Sequence, residues 1–327
     1  MDTFQAHVLQ MTAKVRRTIV LNEHQGSAIR GAFFQAVRGR FCFDRNRTSC
    51  VACPLHVGCP ICALVASVDD GSARGVDVPR PFVVVPPLNG KVTYEVGEDF
   101  DFGITLFGNM VSMLPYMVAG LREMGEMGIG KRVNGTGPRK YRGTFDVERI
   151  AAVNPLSGAA QEILDVKDGF VHVPTTAVTQ ANVVKVAAGL PADRIAVDLL
   201  TPLRLIENGR LVRPLRFAPL SRRLLDRLEA LGGRYGGGGP AVDFADLARR
   251  AQGVEAAVDE TRWVELESYS TRQGRATPMG GCLGRIVFAG DLAPFLPWLV
   301  WGQVVHVGKD ATKGNGIIRL SDPGLGP

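Results

Sequence analysis

Both halves of this chain can be read with one order of elements, strand-helix-strand-strand-helix-strand, and few architectures accept that order twice. In the first half, Lys14 to Leu21 predicts a strand, with β-branched residues near its end. Gly26 to Val37 predicts a helix, because Ile29, Phe33, Phe34 and Val37 recur at helical spacing. Pro81 to Val85 reads as a short buried strand. Phe100, Phe102, Ile104 and Leu106 alternate, which predicts a half-buried strand over Phe100 to Phe107. Met110 to Met127 is an apolar helix, and Phe145, Val147 and Ile150 to Val153 make a closing strand.

The second half repeats the order. Ile195 to Leu205 is a strand, and Leu220, Leu224, Leu228 and Leu231 line one face of a helix. Trp263 to Ser270 and Cys282 to Phe288 read as a hairpin. Leu292 to Val304 is a helix, and Ile317 to Leu320 is the last strand. The expectation is an α+β chain of two tandem ferredoxin-like (RRM-like, βαββαβ) domains. The first covers 1–155 with a Cys-rich insertion at 42–62, and the second covers 156–327 with a glycine-rich loop at 308–316. Asn154 to Asp193 supplies a linker and extra strands. In such a fold the open sheet faces and the cleft between domains are natural platforms for RNA, although a fold alone assigns no function.

Composition narrows the class. A length of 327 residues suits roughly two domains, and 46% hydrophobic residues supply a core and exclude disorder. No apolar run reaches the ~20 residues of a membrane span; Leu292 to Val305 is interrupted by Pro294, Pro297 and Gln303. No basic stretch followed by an apolar run opens the chain, so neither a signal peptide nor a membrane partner is expected and a cytoplasmic location is. The net charge of +6 permits a nucleic-acid partner without requiring one.

Five of the six cysteines fall between Cys42 and Cys62. Cys50-x2-Cys53-x5-Cys59-x2-Cys62 offers two CxxC turns, and four thiolates suit structural zinc or an iron–sulfur cluster. The five-residue spacer is shorter than that of common zinc ribbons, so an insertion without metal remains the alternative. A closed four-thiolate site would fold the insertion and leave no open position for chemistry.

Gly128 to Arg142 holds five cations, Lys131, Arg132, Arg139, Lys140 and Arg142, and no acid. Glycine lets backbone approach a phosphate, and the cations neutralise it. His306 to Gly316 has a matching place between the last helix and the last strand, with Lys309 and Lys313 among its glycines. Neither loop carries the G-x-x-x-x-G-K-[ST] pattern of nucleotide hydrolysis. A third basic stretch, Arg204 to Arg227, holds seven arginines. It reads equally as a phosphate-binding face and as a solvated helix face.

His24 to Phe33 (HQGSAIRGAF) precedes the Cys cluster, Arg80 to Val83 and Thr105 to Gly108. Trp263 to Leu266, Ser270 to Gln273 and Gly280 to Gly284 follow, and then His306 to Lys309 with Gly314 to Gly316. In this order and spacing the chain resembles the CRISPR repeat-processing endoribonucleases of the RAMP superfamily. The resemblance spans nearly the whole chain, with 154–195 its least recognisable part. It implies binding to CRISPR repeat RNA and a single metal-independent cut that yields the guide crRNA. The guide then stays bound or passes to a multisubunit interference complex. A non-cleaving RAMP subunit that holds crRNA is the alternative.

RNA carries its own nucleophile, the 2′-OH beside the scissile phosphate. The protein must align it, move two protons and offset charge on the phosphorane. Histidine suits the proton transfers. Of five histidines, the resemblance favours His24, at the entry to the first helix, and then His306, beside the glycine-rich loop. Lys309, Lys313, Arg30 and Lys131 are candidates for charge stabilisation. RNA contacts are expected from Arg30, Lys131, Arg132, Arg139, Lys140, Arg142, Arg272, Gln273 and Lys313. No cofactor is expected for catalysis, and the apolar helices leave a homodimer open.

Overall fold

The computed structural model describes residues 1, 3–44, 50, 53–66, 79–134, 140–165, 169–270 and 275–324, with side chains except at 268–270 and 275. The chain forms two compact units, His7–Ala177 and Val178–Pro327, the latter together with Met1–Ala6. The division lies beyond the 155/156 boundary expected. Chain past residue 155 still belongs to the first sheet, and Asn154 Nδ2 donates to the Ala177 carbonyl at 2.9 Å.

The first unit runs β1 (Ala6–Arg17), β2 (Ile19–Val20), α1 (Gln25–Phe41), β3 (Phe82–Val85), β4 (Thr93–Tyr94), β5 (Phe102–Phe107), α2 (Leu114–Met127), β6 (Ile129–Val133), β7 (Tyr141–Val153) and β8 (Ala160–Asp165). Its sheet has the order β3-β5-β1-β7-β6, with β8 also on β7. Ile29, Phe33 and Val37 of α1 and Met117, Leu121 and Met124 of α2 share one core with Leu9, Met11, Ile104 and Phe145 of the strands.

The second unit runs α3 (Gln180–Ala187), β9 (Arg194–Leu203), β10 (Ile206–Glu207), β11 (Arg210–Leu211), α4 (Phe217–Tyr235), α5 (Phe244–Arg250), β12 (Glu255–Asp259), β13 (Arg262–Val264), β14 (Glu267–Ser270), β15 (Arg275–Pro278), β16 (Gly281–Ala289), α6 (Leu296–Val305) and β17 (Ile318–Ser321). Its sheet is β12-β16-β9-β17, with β13 also on β16. Leu220, Leu224, Leu228 and Leu231 of α4 are all buried, as their spacing predicts. Phe217 packs edge-on against Phe288 at 5.1 Å and Phe295 at 5.0 Å.

Taking β1, β3, β5 and β7 as first to fourth in one unit, and β9, β12, β16 and β17 in the other, both sheets read second-third-first-fourth. The protein is a mixed α+β fold, consistent with ferredoxin-like domains.

Several elements differ from expectation. β1 begins at Ala6 instead of Lys14, because Leu9, Met11, Ala13 and Val15 alternate inward. β5 is buried on both faces, and a Cβ on its Gly103 would lie 3.0 Å from Val85 Cβ. The basic loop after α2 is partly strand: β6 pairs with β7. The predicted strand 263–270 splits, so that β13 joins β16 while β14 turns back on β15. The exposed β12 has no apolar pattern to announce it. α6 starts at Leu296 with Pro297 in its first turn, where a missing N–H costs little.

Candidate functional site

His24 occupies the N-cap of α1, and its Nδ1 accepts from the Ser27 N–H at 3.4 Å. In that neutral ring the proton sits on Nε2. The side chain is half-buried, and α1 has no acid in its first turn to offset the positive end of its dipole. β6 passes tight against the chain leading to His24: a Cβ on Gly130 would lie 2.3 Å from the Val20 carbonyl oxygen. That approach places the basic β6–β7 segment at the edge from which α1 begins.

Lys131 and Arg132 on β6, Lys140 before β7 and Arg142 on β7 are exposed. Arg142 donates to the Gly130 carbonyl and braces the pair of strands. Arg17, at the end of β1, lies 5.8 Å from the centroid of Tyr141. Lys131, Arg132, Lys140 and Arg17 make no ion pair among the described residues. The site is therefore a half-exposed imidazole beside uncompensated positive charge. Arg30 is partly buried on α1. Sequence reasoning missed Arg17, although Arg16-Arg17 at the end of an alternating strand was a visible signal. Arg139, Arg272 and Gln273 lie outside the described residues.

The glycine-rich loop after α6 is packed, not open. Gly316 has φ +68° and a Cβ there would lie 1.8 Å from the Val307 carbonyl oxygen; Gly316 N–H donates to Pro202 O at 3.1 Å. Lys313 pairs with Asp310 at 2.8 Å, so its charge is met within the loop. Lys309 is exposed, and its N–H donates to the Arg204 carbonyl at 2.9 Å.

His306 is only 1% exposed. Burial, with the positive charge of Arg227 as a second cause and the Ala311 backbone opposing, pushes its pKa down to about 3. The expectation of His306 as a catalytic group is corrected here: the ring is neutral and sealed from any substrate in this structure. The third basic stretch is also largely structural. Arg227 Nε donates to Val305 O at 2.8 Å, Arg223 pairs with Asp226 and Arg216 with Glu207.

Cys42, Cys50, Cys53, Cys59 and Cys62 line a cavity of about 390 Å³ with apolar neighbours such as Phe41 and Ile61. Burial, and then the adjacent Cys59 and Cys50 sulfurs, push the Cys62 thiol up to about 12. Among the described residues no group of three or more His, Cys, Asp or Glu side chains is placed to hold a metal ion. A zinc thiolate site needs all four sulfurs at about 2.3 Å from one point. The zinc expected at Cys50, Cys53, Cys59 and Cys62 is therefore not supported by this structure.

Residues 4–176, over half of the chain, match the AF_1859_N family, described as an N-terminal domain. Residues 197–318 match the family described as CRISPR-associated endoribonuclease Cas6. A protein of Archaeoglobus fulgidus, described as uncharacterized, is 27% identical over 300 residues, 90% of this chain and 91% of its own. Thermus thermophilus Cas6 superposes with a TM-score of 0.56 at 12% identity, over 97% of this chain and 99% of its own. A partial Cas6-RT-Cas1–Cas2 complex gives 0.59 at 14% identity, over 98% of this chain and 46% of the other. At these identities the structural likeness is one of fold.

Proposed function

Since residues 4–176 match the AF_1859_N family and residues 197–318 match the CRISPR-associated endoribonuclease Cas6 family, we propose that the chain is an endoribonuclease that binds CRISPR repeat RNA and cuts the precursor transcript once per repeat without a metal ion. The observation that carries this reading is the half-exposed His24 beside the uncompensated cations of β6 and β7. The common strand order of the two sheets supports taking both units as tandem ferredoxin-like domains.

In the proposed reaction the 2′-oxygen attacks the adjacent phosphorus and the bond to the 5′-oxygen breaks. The products are a 2′,3′-cyclic phosphate and a 5′-hydroxyl. His24 is assigned proton transfer. To accept a proton Nε2 must present a lone pair, so the reactive ring gives up its Nδ1 bond to Ser27; at 3.4 Å that bond is weak. Lys131, Arg132, Lys140 and Arg142 hold phosphates, and Arg30 offsets charge near the cut. Among the described residues no helix is long and apolar enough to cross a membrane. A cytoplasmic protein that retains its crRNA or delivers it to other CRISPR subunits fits this reading.

The test is incubation with repeat RNA in excess EDTA, followed by mapping of the ends. One discrete cut with a cyclic-phosphate end is expected. His24→Asn and His24→Ala should each lower the rate by about 10²–10⁴-fold at unchanged affinity. Only His24→Ala should also weaken α1, by about 1 kcal/mol, because Asn is a good N-cap. The burial of His306 favours a second reading, an RNA-holding subunit, which binding without cutting would establish.

A further inference from the structure

β9 ends at Leu203, and the next residue, Arg204, joins three features of its unit. Its carbonyl accepts the N–H of Lys309 at 2.9 Å, which fixes the exposed end of the glycine-rich loop. Its Nη1 donates to Gly280 O at 3.0 Å. Its guanidinium carbon lies 5.8 Å from the ring centroid of Trp263 on β13. Arg213 approaches the same indole, at 5.2 Å. The indole is half-buried and is held from its polar end, with Nε1–H donating to Glu265 Oε1 at 2.6 Å.

This cluster is built, not incidental. Arg204 and Arg213, from one stretch of chain, are brought to Trp263, which lies far from both in sequence, and the backbone of Arg204 carries the loop that bears Lys309. Yet Arg213 is exposed and makes no ion pair among the described residues. The indole restrains its guanidinium without neutralising it, because a ring quadrupole attracts a cation but leaves its N–H donors available. Lys309 adds a second exposed cation beside Arg204. A restrained guanidinium against an aromatic ring suits an unpaired base, which stacks on aromatic side chains and on guanidinium planes. Two nearby cations suit its flanking phosphates.

We infer that Arg204, Trp263 and Arg213 form a clamp for one unpaired nucleotide of bound RNA. The base stacks against the Arg213–Trp263 pair, and Arg213 and Lys309 hold the adjoining phosphates. The inference rests on the RNA-binding reading above and assigns the clamp to affinity, not to the cut.

The test is titration of the full chain with repeat RNA, and separately with a single-stranded oligoadenylate, while tryptophan emission is followed. RNA should quench the wild-type protein, and Trp263→Phe should abolish the change. Arg213→Ala and Trp263→Ala should weaken binding by about tenfold or more. Arg213→Ala should also reduce the slope of log affinity against log salt by about 0.7–0.9. Arg213→Lys should keep the salt slope and still bind more weakly. Lys185→Ala, which removes one exposed cation on α3, should bind as wild type. If Arg213→Ala and Trp263→Ala bind with wild-type affinity and salt slope and RNA still quenches Trp263→Phe, the clamp is wrong while the RNA reading stands. If the wild-type protein binds neither RNA, both fall together.

Discussion

His306 has a positive φ of 60° at the end of α6 and a ring sealed in the second unit, so its proton is linked to folding. In the unfolded chain its pKa is the ordinary 6.5, and in the folded chain it is about 3. Between those values the unfolded state binds a proton that the folded state refuses. Stability is therefore full above about 6.5 and falls as the pH drops toward 3. His7, also lowered by burial, acts in the same direction. We expect the stability difference between wild type and His306→Asn, measured by urea unfolding, to shift against wild type on going from pH 7.5 to 5. A difference independent of pH would refute the linkage. Asn does not titrate in this range, and any pH-independent cost of the substitution cancels between the two pH values, so the comparison isolates the ring's proton. At this scale the sequence was half legible. His24 stands where a strand hands over to a helix, and its place as a cap follows from that position. The burial of His306 did not follow, because the same glycines that suggest an open loop here let backbone fold onto backbone.

Between elements, contact is set by what a helix lacks. On α2, a Cβ at Gly125 would lie 2.2 Å from the Phe145 carbonyl oxygen of β7, and one at Gly120 would lie 2.6 Å from Val37 of α1. Backbone cannot yield as a side chain can. Gly125→Ala should cost about 1–3 kcal/mol or more, whereas Gly31→Ala, on the open face of α1 with nothing within 4 Å, should stabilise by about 0.5–1 kcal/mol. Thermal unfolding of the two variants checks both signs; a neutral Gly125→Ala would mean that α2 sits farther from the sheet. Helices α1, α2, α4 and α6 were legible from their apolar residues, whereas α3, in the stretch expected as linker and strands, and the short α5 were not. The β6–β7 pair was not, since Lys131, Arg132 and the flanking glycines carry no apolar alternation, and β6 is held by its backbone pairing to β7.

Over the whole molecule, the first residues of the chain do not stay with the strand they lead into. Phe4 is fully buried in the second unit, 5.3 Å from Trp301, and Ala6 exchanges hydrogen bonds with Val178. Phe4→Ala should cost about 3–5 kcal/mol. The loss should appear in the second unit, as faster amide exchange in α6 and α3, which Trp301 joins through its 2.8 Å bond to Gln180. Faster exchange confined to α1 and α2 would overturn that placement. Apolar periodicity and the order of its repeats made two α+β units readable from sequence alone, because each strand and helix must turn its apolar face to a core. Which cysteines converge, which histidine is sealed and which arginines gather at Trp263 depend on distances between residues far apart in the chain. Only the packed backbone decides those distances, and with them which charges meet solvent.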